Sequence, residues 1–374
     1  MMPKTKILYV ASSFGHLASF HQPYLEWFAQ QGCTVHAAAG GSACALRGVS
    51  RMIELPFKKS MFSPGNLAAA YRLRRLMREE GYALISLHTA LAAFFARLAL
   101  LPSGSRRPVV MNTSHGYLFD RNTPWVRRML LLGAERMTAP VTDWLLTMNR
   151  QDWEIAGRYR LARHMACTRG MGIDLARFRP PDPSARQQAR AELGLKPDEI
   201  ALVYAAEFSG RKNQAMLIRA MRFLPENAVL LLPGRGALWE ACRTLAQRTD
   251  VYSRIRFPGF VQQIERYYQA ADLCVSASRI EGLPFNVMEA MACGLPVVVS
   301  DIKGHQDLVR DGENGFLYRY DDEQAFASAV CRLMEDGARR SMSRAAIESV
   351  QPYGLTHVFP ALTEIYRSAL ESFR

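Results

Sequence analysis

The sequence predicts an α/β fold made of two Rossmann-like, doubly wound domains. Short apolar runs alternate with helical patterns along the whole chain, this series occurs twice, and the proline-rich stretch 178–184 separates the two occurrences. A length of 374 residues agrees with two domains, because single hydrophobic cores rarely grow beyond about 250–300 residues. An apolar fraction of 49% and a charged fraction of 22% exclude a disordered or fibrous chain.

The first domain is expected over residues 1–178. Amphipathic patterns such as Phe20–Gln31 and Asn66–Glu80 predict helices between its strands. Strands that consist of continuous apolar runs and alternate with helices are typical of parallel sheets covered on both faces. The predicted strands are Ile7–Ala11, Thr34–Ala38, Ala83–Leu87, Val109–Thr113 and Trp144–Met148.

The second domain is expected over residues 179–354 and repeats the same alternation, with a helical pattern at Asn213–Arg222. The last segment, about 355–374, also has a helical pattern and is expected to pack back on the first domain. The predicted strands of the second domain are Ala201–Ala205, Ala228–Leu232, Ile255–Phe257, Leu273–Ser276 and Val297–Ser300.

The N-terminal segment has lysines followed by an apolar run, which could be a signal peptide or a first buried strand. The strand is favoured, because Gly15 and His16 interrupt the run before a convincing cleavage site. The apolar stretch Leu87–Leu101 contains His88 and Arg97 and is too short to span a bilayer. We therefore expect a cytoplasmic protein with at most a peripheral contact at the cytoplasmic face of the inner membrane.

The formal net charge of +13 is unevenly distributed. Residues 1–180 hold 24 Lys and Arg against 10 Asp and Glu, a net +14, which leaves 23 against 24, a net −1, for residues 181–374. An excess of this size points to an acidic partner such as a nucleotide, a nucleic acid or an anionic membrane. Seven scattered cysteines without a C-x-x-C pair argue against a disulfide framework or a cysteine zinc site.

The strongest chemical motif is Glu281–Glu289 (EGLPFNVME), which follows a predicted strand and opens a helix. The N–H groups at a helix N-terminus can hold a phosphate or sugar oxygen. Glu281 stands before the helix, and Glu289 lies about 12 Å further along if the run is helical. The two carboxylates would suit hydroxyl groups at two ends of an extended ligand; alternatively, both are ordinary surface acids.

Arg211 and Lys212 form a second motif, between a predicted strand and the helix that follows it. Two adjacent cations there could hold a diphosphate and stabilise it as a leaving group. The alternative is a solvated basic pair, which is unfavourable at the positive end of a helix unless an anion binds nearby.

Three weaker signals lie in the first half. Gly170–Phe178 places glycines and an acid at the domain junction. His115 follows a strand, and Gly116 beside it permits close approach, although a single histidine is more often structural. The loop Ser12–His16 lacks the G-x-G-x-x-G dinucleotide fingerprint.

Together these segments resemble the retaining glycosyltransferases of family 4, which have the GT-B fold of two Rossmann-like domains facing across a cleft. The resemblance covers essentially the whole chain and rests on the E-x7-E segment with its G-L-P-V tail, the G-x-G-I-D-x-x-x-F junction and the R-K-N segment, in the expected order. Glu281–Val287, His115-Gly116-Tyr117 and Gly304-His305 are similar to the branch that acts in bacterial capsule, exopolysaccharide and lipopolysaccharide assembly.

The resemblance implies a donor site in the second domain. Glu289 is implied to accept hydrogen bonds from the donor ribose, Glu281 to lie near the donor sugar, and Arg211 and Lys212 to hold the diphosphate. The family often has several residues between this arginine and lysine, so which of the two reaches the phosphates stays open. Backbone contacts to the sugar and phosphate are implied for Gly282, Leu283, Pro284 and Phe285.

For the remaining sites the resemblance implies that His115 contacts the transferred sugar and that Gly15 lets a loop of the first domain approach the phosphate and acceptor. Phe260 and Val261 are implied to contact the nucleobase through their backbone. The expected donor is a UDP-linked hexose or N-acetylhexosamine. No metal is expected, because the D-x-D motif of metal-dependent GT-A enzymes does not occur.

The basic first half is then expected to face the acceptor, a lipid-linked saccharide at an anionic inner-membrane surface. Lys58 and Lys59 lie among apolar residues, and Arg74 and Arg75 follow on a helical pattern. A solvated basic surface without a membrane role stays an equal alternative.

Two other function classes are left open by these residues. A non-hydrolysing nucleotide-sugar epimerase shares the fold, but the E-x7-E segment and the G-I-D junction argue against it. A nucleic-acid-binding protein or an inactive nucleotide-sugar sensor is disfavoured, because no RNA-binding or zinc-finger motif occurs and the glutamates and the Arg-Lys pair are present.

Overall fold

The structure is a computed structural model that describes residues 5–58, 60–101, 107–120 and 123–371. Lys59, one of the lysines expected at a membrane, lies outside the described residues. The chain divides into a first unit, Met1–Met171 with Thr356–Arg374, and a second unit, Gly172–Leu355. Each unit contains one parallel sheet with helices packed on it, which confirms the predicted class of two Rossmann-like domains.

The first unit is built on a seven-stranded parallel sheet in the order β3-β2-β1-β4-β5-β6-β7. Its strands are β1 Lys6–Ala11, β2 Thr34–Ala39, β3 Arg51–Glu54, β4 Leu84–His88, β5 Val109–Ser114, β6 Trp144–Thr147 and β7 His164–Cys167. The sequence missed β3 and β7, which form the two edges. Both are largely exposed and mix polar with apolar residues, so neither has the apolar run that marks a central strand.

The helices of this unit before the domain junction connect consecutive strands. They are α1 Phe14–Phe20, α2 Gln22–Gln30, α3 Pro64–Glu80, α4 Ala90–Leu100, α5 Trp125–Thr138 and α6 Arg150–Tyr159. The predicted single helix Phe20–Gln31 is wrong at its start: two helices meet at His21, which ends α1 and precedes α2. Pro23 in the first turn of α2 explains the break, because proline is tolerated there but cannot donate an N–H to a continuing helix.

The second unit has a six-stranded parallel sheet in the order β10-β9-β8-β11-β12-β13. Its strands are β8 Ile200–Val203, β9 Ala228–Pro233, β10 Ile255–Gly259, β11 Leu273–Ser276, β12 Val297–Ser300 and β13 Gly315–Tyr318. Its helices are α7 Pro183–Glu192, α8 Gln214–Ala220, α9 Trp239–Gln247, α10 Ile264–Ala270, α11 Phe285–Ala292, α12 Glu323–Arg332 and α13 Asp336–Val350. The predicted strands at Leu273–Ser276 and Val297–Ser300 are confirmed residue for residue, whereas the edge strand β13 was missed.

The last helix, α14 Leu355–Glu371, packs against the first unit. Its Tyr366 is fully buried, with the ring 5.0 Å from that of Phe28 and the hydroxyl 3.0 Å from Ser86 Oγ. The aromatic face of α14 thereby completes the core beside β1 and β4.

Each sheet reverses its winding direction once, between β1 and β4 in the first unit and between β8 and β11 in the second. Ligands of doubly wound folds bind outside the carboxyl ends of the strands at this point. The loops that follow these strands are therefore where a site is expected. Among the described residues, no helix is both long and apolar enough to cross a membrane.

Candidate active site

Loops at the carboxyl edge of the second sheet bring the two strongest sequence motifs together. Arg211 and Lys212 lie between β8 and α8, and Glu281 lies between β11 and α11. Because β8 and β11 are parallel neighbours, their following loops emerge side by side at one edge. The fold therefore brings together cationic and acidic residues that are about 70 positions apart in sequence.

Glu281 is the centre of this arrangement. Its Oε1 accepts hydrogen bonds from Lys212 Nζ at 2.6 Å and from Ser278 Oγ at 2.6 Å, and its Oε2 accepts one from Arg211 Nη1 at 2.8 Å. Arg211 Nη1 also lies 3.3 Å from the Ile280 carbonyl oxygen. We call Glu281, Lys212, Arg211 and Ser278 the Glu281 network.

Opposing effects set the charges in the Glu281 network. Burial by itself raises the pKa of Glu281, but the Lys212 and Arg211 cations and their hydrogen bonds bring that pKa down to about 2. Burial lowers the pKa of Lys212, and the Glu281 carboxylate opposes this effect. With Glu281 ionised and both cations charged, the network carries one net positive charge, which favours an anion.

The two cations differ in their access to solvent. The Arg211 side chain is 39% exposed, whereas that of Lys212 is 11% exposed. Arg211 can therefore reach a ligand directly while keeping its bond to Glu281, and Lys212 lies behind it. This geometry favours Arg211 as the residue that contacts a bound diphosphate.

A buried tyrosine and serine connect the two loops, and neither was singled out from the sequence. The Tyr204 hydroxyl lies 2.7 Å from Ser278 Oγ and donates a hydrogen bond to the Lys212 carbonyl oxygen at 3.1 Å. Ser278 precedes Glu281 by three residues, and that spacing is the one signal by which the sequence could have indicated it. The pair fixes the loop after β8 to the loop after β11.

The helix that follows Glu281 begins at Phe285, with Pro284 as its N-cap residue. Pro284 makes no side-chain hydrogen bond to this end, and the first turn of the helix contains no acid that would interact with its dipole. Gly282, Leu283 and Pro284 are buried beneath it. An oxyanion could use the amide groups of this first turn.

A second loop supports the backbone around Glu281. Gly304, after β12, has a φ of +79°, and a Cβ atom there would lie 2.6 Å from the Gly282 carbonyl oxygen. Only glycine permits this close approach. His305 beside it is buried with Nδ1 2.7 Å from the Ser300 carbonyl oxygen, and burial lowers its pKa to about 4.

Glu289 lies apart from the Glu281 network, within α11. The Tyr268 hydroxyl donates a hydrogen bond to its Oε2 at 3.2 Å. Burial raises the pKa of Glu289 to about 7, and the Tyr268 bond and the charge of Arg177 only partly oppose this. The carboxyl group therefore changes its charge near neutral pH.

Phe260 and Val261 follow β10 at the same edge of the second sheet. The Phe260 side chain is 77% exposed. Gly259 before it has a φ of +81°, and its carbonyl oxygen accepts a hydrogen bond from Gly234 N at 2.7 Å, which links the loops after β9 and β10. The base-contacting segment expected from the sequence is thus on the edge that carries the Glu281 network.

In the first unit, His115 belongs to a group of four histidines at the carboxyl edge of the sheet. His16 follows β1, His21 joins α1 to α2, His88 ends β4 and His115 follows β5. Burial lowers the pKa of all four; that of His16 falls to about 4. Gly15 was expected in a loop, but it lies in the first turn of α1. There is open space where a Cβ atom at Gly15 would lie.

Comparison with known proteins places this geometry in a family. The model of the family described as "Glycosyl transferases group 1" matches residues 199–336, and that described as "Glycosyltransferase Family 4" matches residues 24–185. The relative named "Putative glycosyltransferase EpsD", from Bacillus subtilis (strain 168), is 35% identical over 332 residues, which cover 88% of this chain and 87% of EpsD. The chain belongs to glycosyltransferase family 4.

Another relative of this family 4 glycosyltransferase is the UDP-Gal:alpha-D-GlcNAc-diphosphoundecaprenol alpha-1,3-galactosyltransferase of Escherichia coli. It is 26% identical over 279 residues, which cover 73% of this chain and 71% of the relative.

Solved structures of other proteins have the same fold. Anabaena Alr3699/HepE in complex with UDP and glucose matches with a TM-score of 0.80 and 19% identity, covering 97% of this chain and all of that one. WaaG, a glycosyltransferase involved in lipopolysaccharide biosynthesis, matches with a TM-score of 0.75 and 16% identity, over 96% of this chain and 99% of WaaG. These matches show that the chain has the GT-B fold.

Proposed function

We propose that this glycosyltransferase transfers a hexose or N-acetylhexosamine from a UDP-linked donor to a lipid-linked or glycan acceptor, with retention of configuration, in the synthesis of a cell-surface polysaccharide. The observation that carries the proposal is the Glu281 network. Arg211 and Lys212 are held by a buried carboxylate next to the N-terminus of α11.

The donor diphosphate binds at Arg211, with Lys212 contributing its charge from behind, and at the first turn of α11. The net positive charge of the network and the helix dipole both favour two adjacent phosphates. Glu281 positions the two cations and lies next to the sugar. Glu289 accepts hydrogen bonds from the ribose hydroxyls, and the backbone at Phe260 and Val261 contacts the base.

In the transfer step, the bond between the anomeric carbon and the diphosphate oxygen breaks, and the electron pair stays on the diphosphate. Arg211, Lys212 and the N-terminus of α11 stabilise the growing negative charge, a contribution that is typically worth about 3–4 kcal/mol for one well-placed donor. The acceptor oxygen bonds to the anomeric carbon from the same face and passes its proton to the departing diphosphate. His115 contacts the transferred sugar, and this chemistry uses no metal at the diphosphate.

The E. coli relative supports the choice of substrates. Its name specifies a UDP-sugar donor and a diphosphoundecaprenol-linked acceptor. A lipid-linked acceptor of this kind would place the enzyme at the inner face of a membrane, where the net charge of +14 on residues 1–180 favours anionic lipids.

For the membrane contact we propose the first turns of α5. Trp125 and Leu130 are 77% and 71% exposed, Met129 is also exposed, and Arg127 and Arg128 lie between them. The acid of this helix, Glu135, is turned inward and paired with Arg97 at 3.0 Å. Exposed aromatic and aliphatic side chains interleaved with arginines suit the headgroup region of an anionic leaflet. A second exposed group, Phe62, Leu67 and Tyr71, lies in or just before the first turns of α3, at the same edge of the sheet.

The test is a transfer assay with UDP-, GDP- and ADP-sugars and a diphosphoundecaprenol-linked saccharide, analysed by mass spectrometry. Arg211→Ala should lower kcat/KM for the preferred UDP-sugar by about 10²–10³-fold. The matched control is Arg222→Ala, since Arg222 is paired with Glu323 away from the network. An epimerised nucleotide sugar without transfer, or near-normal activity of Arg211→Ala, would contradict the proposal.

A further inference from the structure

Three histidines of the first unit bring their ring nitrogens close together. One nitrogen each from His16, His21 and His115 lies within 4.8 Å of the other two. His16 and His21 are five positions apart, whereas His115 is far from both in sequence. They meet because β1 and β5 flank β4 and the residues that follow all leave the same edge of the sheet.

One pair of these nitrogens already has the spacing of two ligands on one ion. His16 Nε2 and His21 Nε2 are 3.4 Å apart. Two imidazole nitrogens 2.0–2.1 Å from a tetrahedral zinc ion are about 3.3 Å apart. His16 and His115 are only partly buried, so small side-chain rotations can bring the third nitrogen to the same distance.

One ring nitrogen of the group has no other use. His115 Nε2 is buried and has no hydrogen-bond partner in the described part of the chain. A neutral imidazole carries one N–H and one lone pair, so Nε2 can present its lone pair to a cation when the proton is on Nδ1. Buried polar atoms without partners are rare in folded proteins and need an explanation, of which an absent ion is one.

The type of ligand follows from the donor set. The group consists of imidazoles alone, without a carboxylate or thiolate. Imidazole nitrogens select zinc and similar transition metals over magnesium and calcium, which prefer oxygen ligands. Three protein ligands leave a fourth position open for water or an anionic oxygen.

We propose that His16, His21 and His115 form a site for one Zn²⁺ ion with an open fourth position. This inference does not rest on the proposed transfer reaction, since it concerns binding alone. His115 contacts the transferred sugar in the proposed reaction. Because a bound zinc ion would prevent this contact, the zinc-bound form would be the inactive one.

The test measures Zn²⁺ binding to the full chain after removal of metals by a chelator, using calorimetry and metal analysis after dialysis. The wild type should retain one equivalent, and His16→Gln and His115→Gln should each retain little or none. The control is His164→Gln/Cys167→Ser. It removes two exposed side chains of β7 that are of zinc-binding types but lie outside the proposed site, so this variant should still retain one equivalent of zinc.

X-ray absorption at the zinc edge should show nitrogen neighbours at about 2.0–2.1 Å. Zn²⁺ should also raise the Tm of the wild type and of the control, but not of the two histidine variants, because a ligand stabilises only a fold that binds it. Unfolding profiles of the metal-free variants show whether each is folded. Equal zinc retention by folded His16→Gln or His115→Gln and the wild type, or no retention by the wild type, would overturn the proposal.

Discussion

At the level of single residues, the adjacent cations Arg211 and Lys212 have different environments and therefore different roles. Lys212 is nearly buried against Glu281, whereas Arg211 also faces solvent. The sequence shows two neighbouring basic residues and cannot rank them. Their ranking comes from the loop conformation that turns one side chain inward and the other outward.

This difference predicts that substitution of Lys212 mainly lowers stability, whereas the matched substitution of Arg211 mainly lowers catalysis. Lys212→Met leaves the Glu281 carboxylate without its buried partner, and breaking a buried pair in this way typically costs about 3–5 kcal/mol of unfolding free energy. Arg211→Met should change the unfolding free energy much less but should lower kcat/KM strongly. Urea unfolding and donor kinetics on both variants check this; equal stability losses would show that the two cations are equivalent.

Glu289 predicts a pH dependence of donor binding. Its pKa is about 7, and only the ionised carboxylate accepts hydrogen bonds fully from ribose hydroxyls. The Kd for the intact UDP-sugar should therefore fall about tenfold between pH 6 and pH 8. Glu289→Gln should bind weakly at both values, and Glu323→Gln, an acid outside the site, should keep the wild-type profile.

The same residue also affects stability, in a direction set by its raised pKa. In the unfolded chain Glu289 releases its proton near its ordinary pKa of 4.5, and in the folded chain near 7. The folded state binds more protons between these values, so this group makes the protein less stable as pH rises from about 4.5 to 7. Glu289→Gln should remove that loss, which urea unfolding at pH 5 and pH 8 would detect; a parallel decrease in the variant would contradict the shifted pKa.

At the element scale, the loops after β8, β11 and β12 form one supported structure. Tyr204 joins the first two, and Gly304 brings the third against the backbone of Gly282. The N-terminus of α11 is therefore held by elements on two sides. The arrangement keeps the proposed anion site in place before any ligand binds.

Gly304→Ala is expected to disturb this support. The new Cβ would meet the Gly282 carbonyl oxygen at 2.6 Å, so the backbone beside Glu281 must shift. Gly312→Ala is the matched control, because Gly312 has a φ of +80° with nothing within 4 Å of the added atom. Both variants carry the backbone strain of about 1–2 kcal/mol, but only Gly304→Ala should also lower kcat/KM by tenfold or more in a donor assay. Similar kinetics for the two would show that the contact does not support the site.

At the scale of the whole molecule, the uneven charge separates two kinds of binding. The donor site uses a few local cations in the half with a net charge of −1, and the excess of +14 lies in the other half. Local buried pairs are screened little by salt, whereas exposed charges spread over a surface are screened strongly.

Vesicle binding should therefore depend on salt and on α5. Wild-type protein should bind anionic vesicles at low ionic strength and dissociate as salt rises, with a smaller change in the Kd for the donor. Trp125→Ser/Leu130→Ser and, separately, reversal of Lys58, Lys59, Arg74 and Arg75 should weaken vesicle binding. Leu238→Ser/Tyr252→Ser, which changes two exposed side chains of the second unit, is the control. Unchanged vesicle binding by both the α5 variant and the charge-reversal variant would contradict a membrane role.

The fold class, most central strands and the segments that carry the site can be predicted from the amino-acid sequence alone. Apolar runs such as Leu273–Ser276 are set by burial on both faces of a parallel sheet, so they are visible in a single sequence. The motifs at Arg211 and at Glu281–Glu289 each lie within one short stretch of sequence, so they can also be recognised in a single sequence. The edge strands β3 and β7 were missed because an edge needs less apolar sequence, a reason that does not apply to β13, which is mostly apolar and buried.

Which residues act together follows from the tertiary structure and not from the local sequence. Tyr204, Ser278 and Gly304 have ordinary local sequences, and their roles come from strand neighbours that the order β8-β11-β12 creates. The sequence likewise has no motif that joins His16 and His21 to His88 and His115. Strand order brings the segments after β1, β4 and β5 to one edge of the first sheet. Local preference acts over a few residues, whereas a site depends on contacts between segments that only packing brings together.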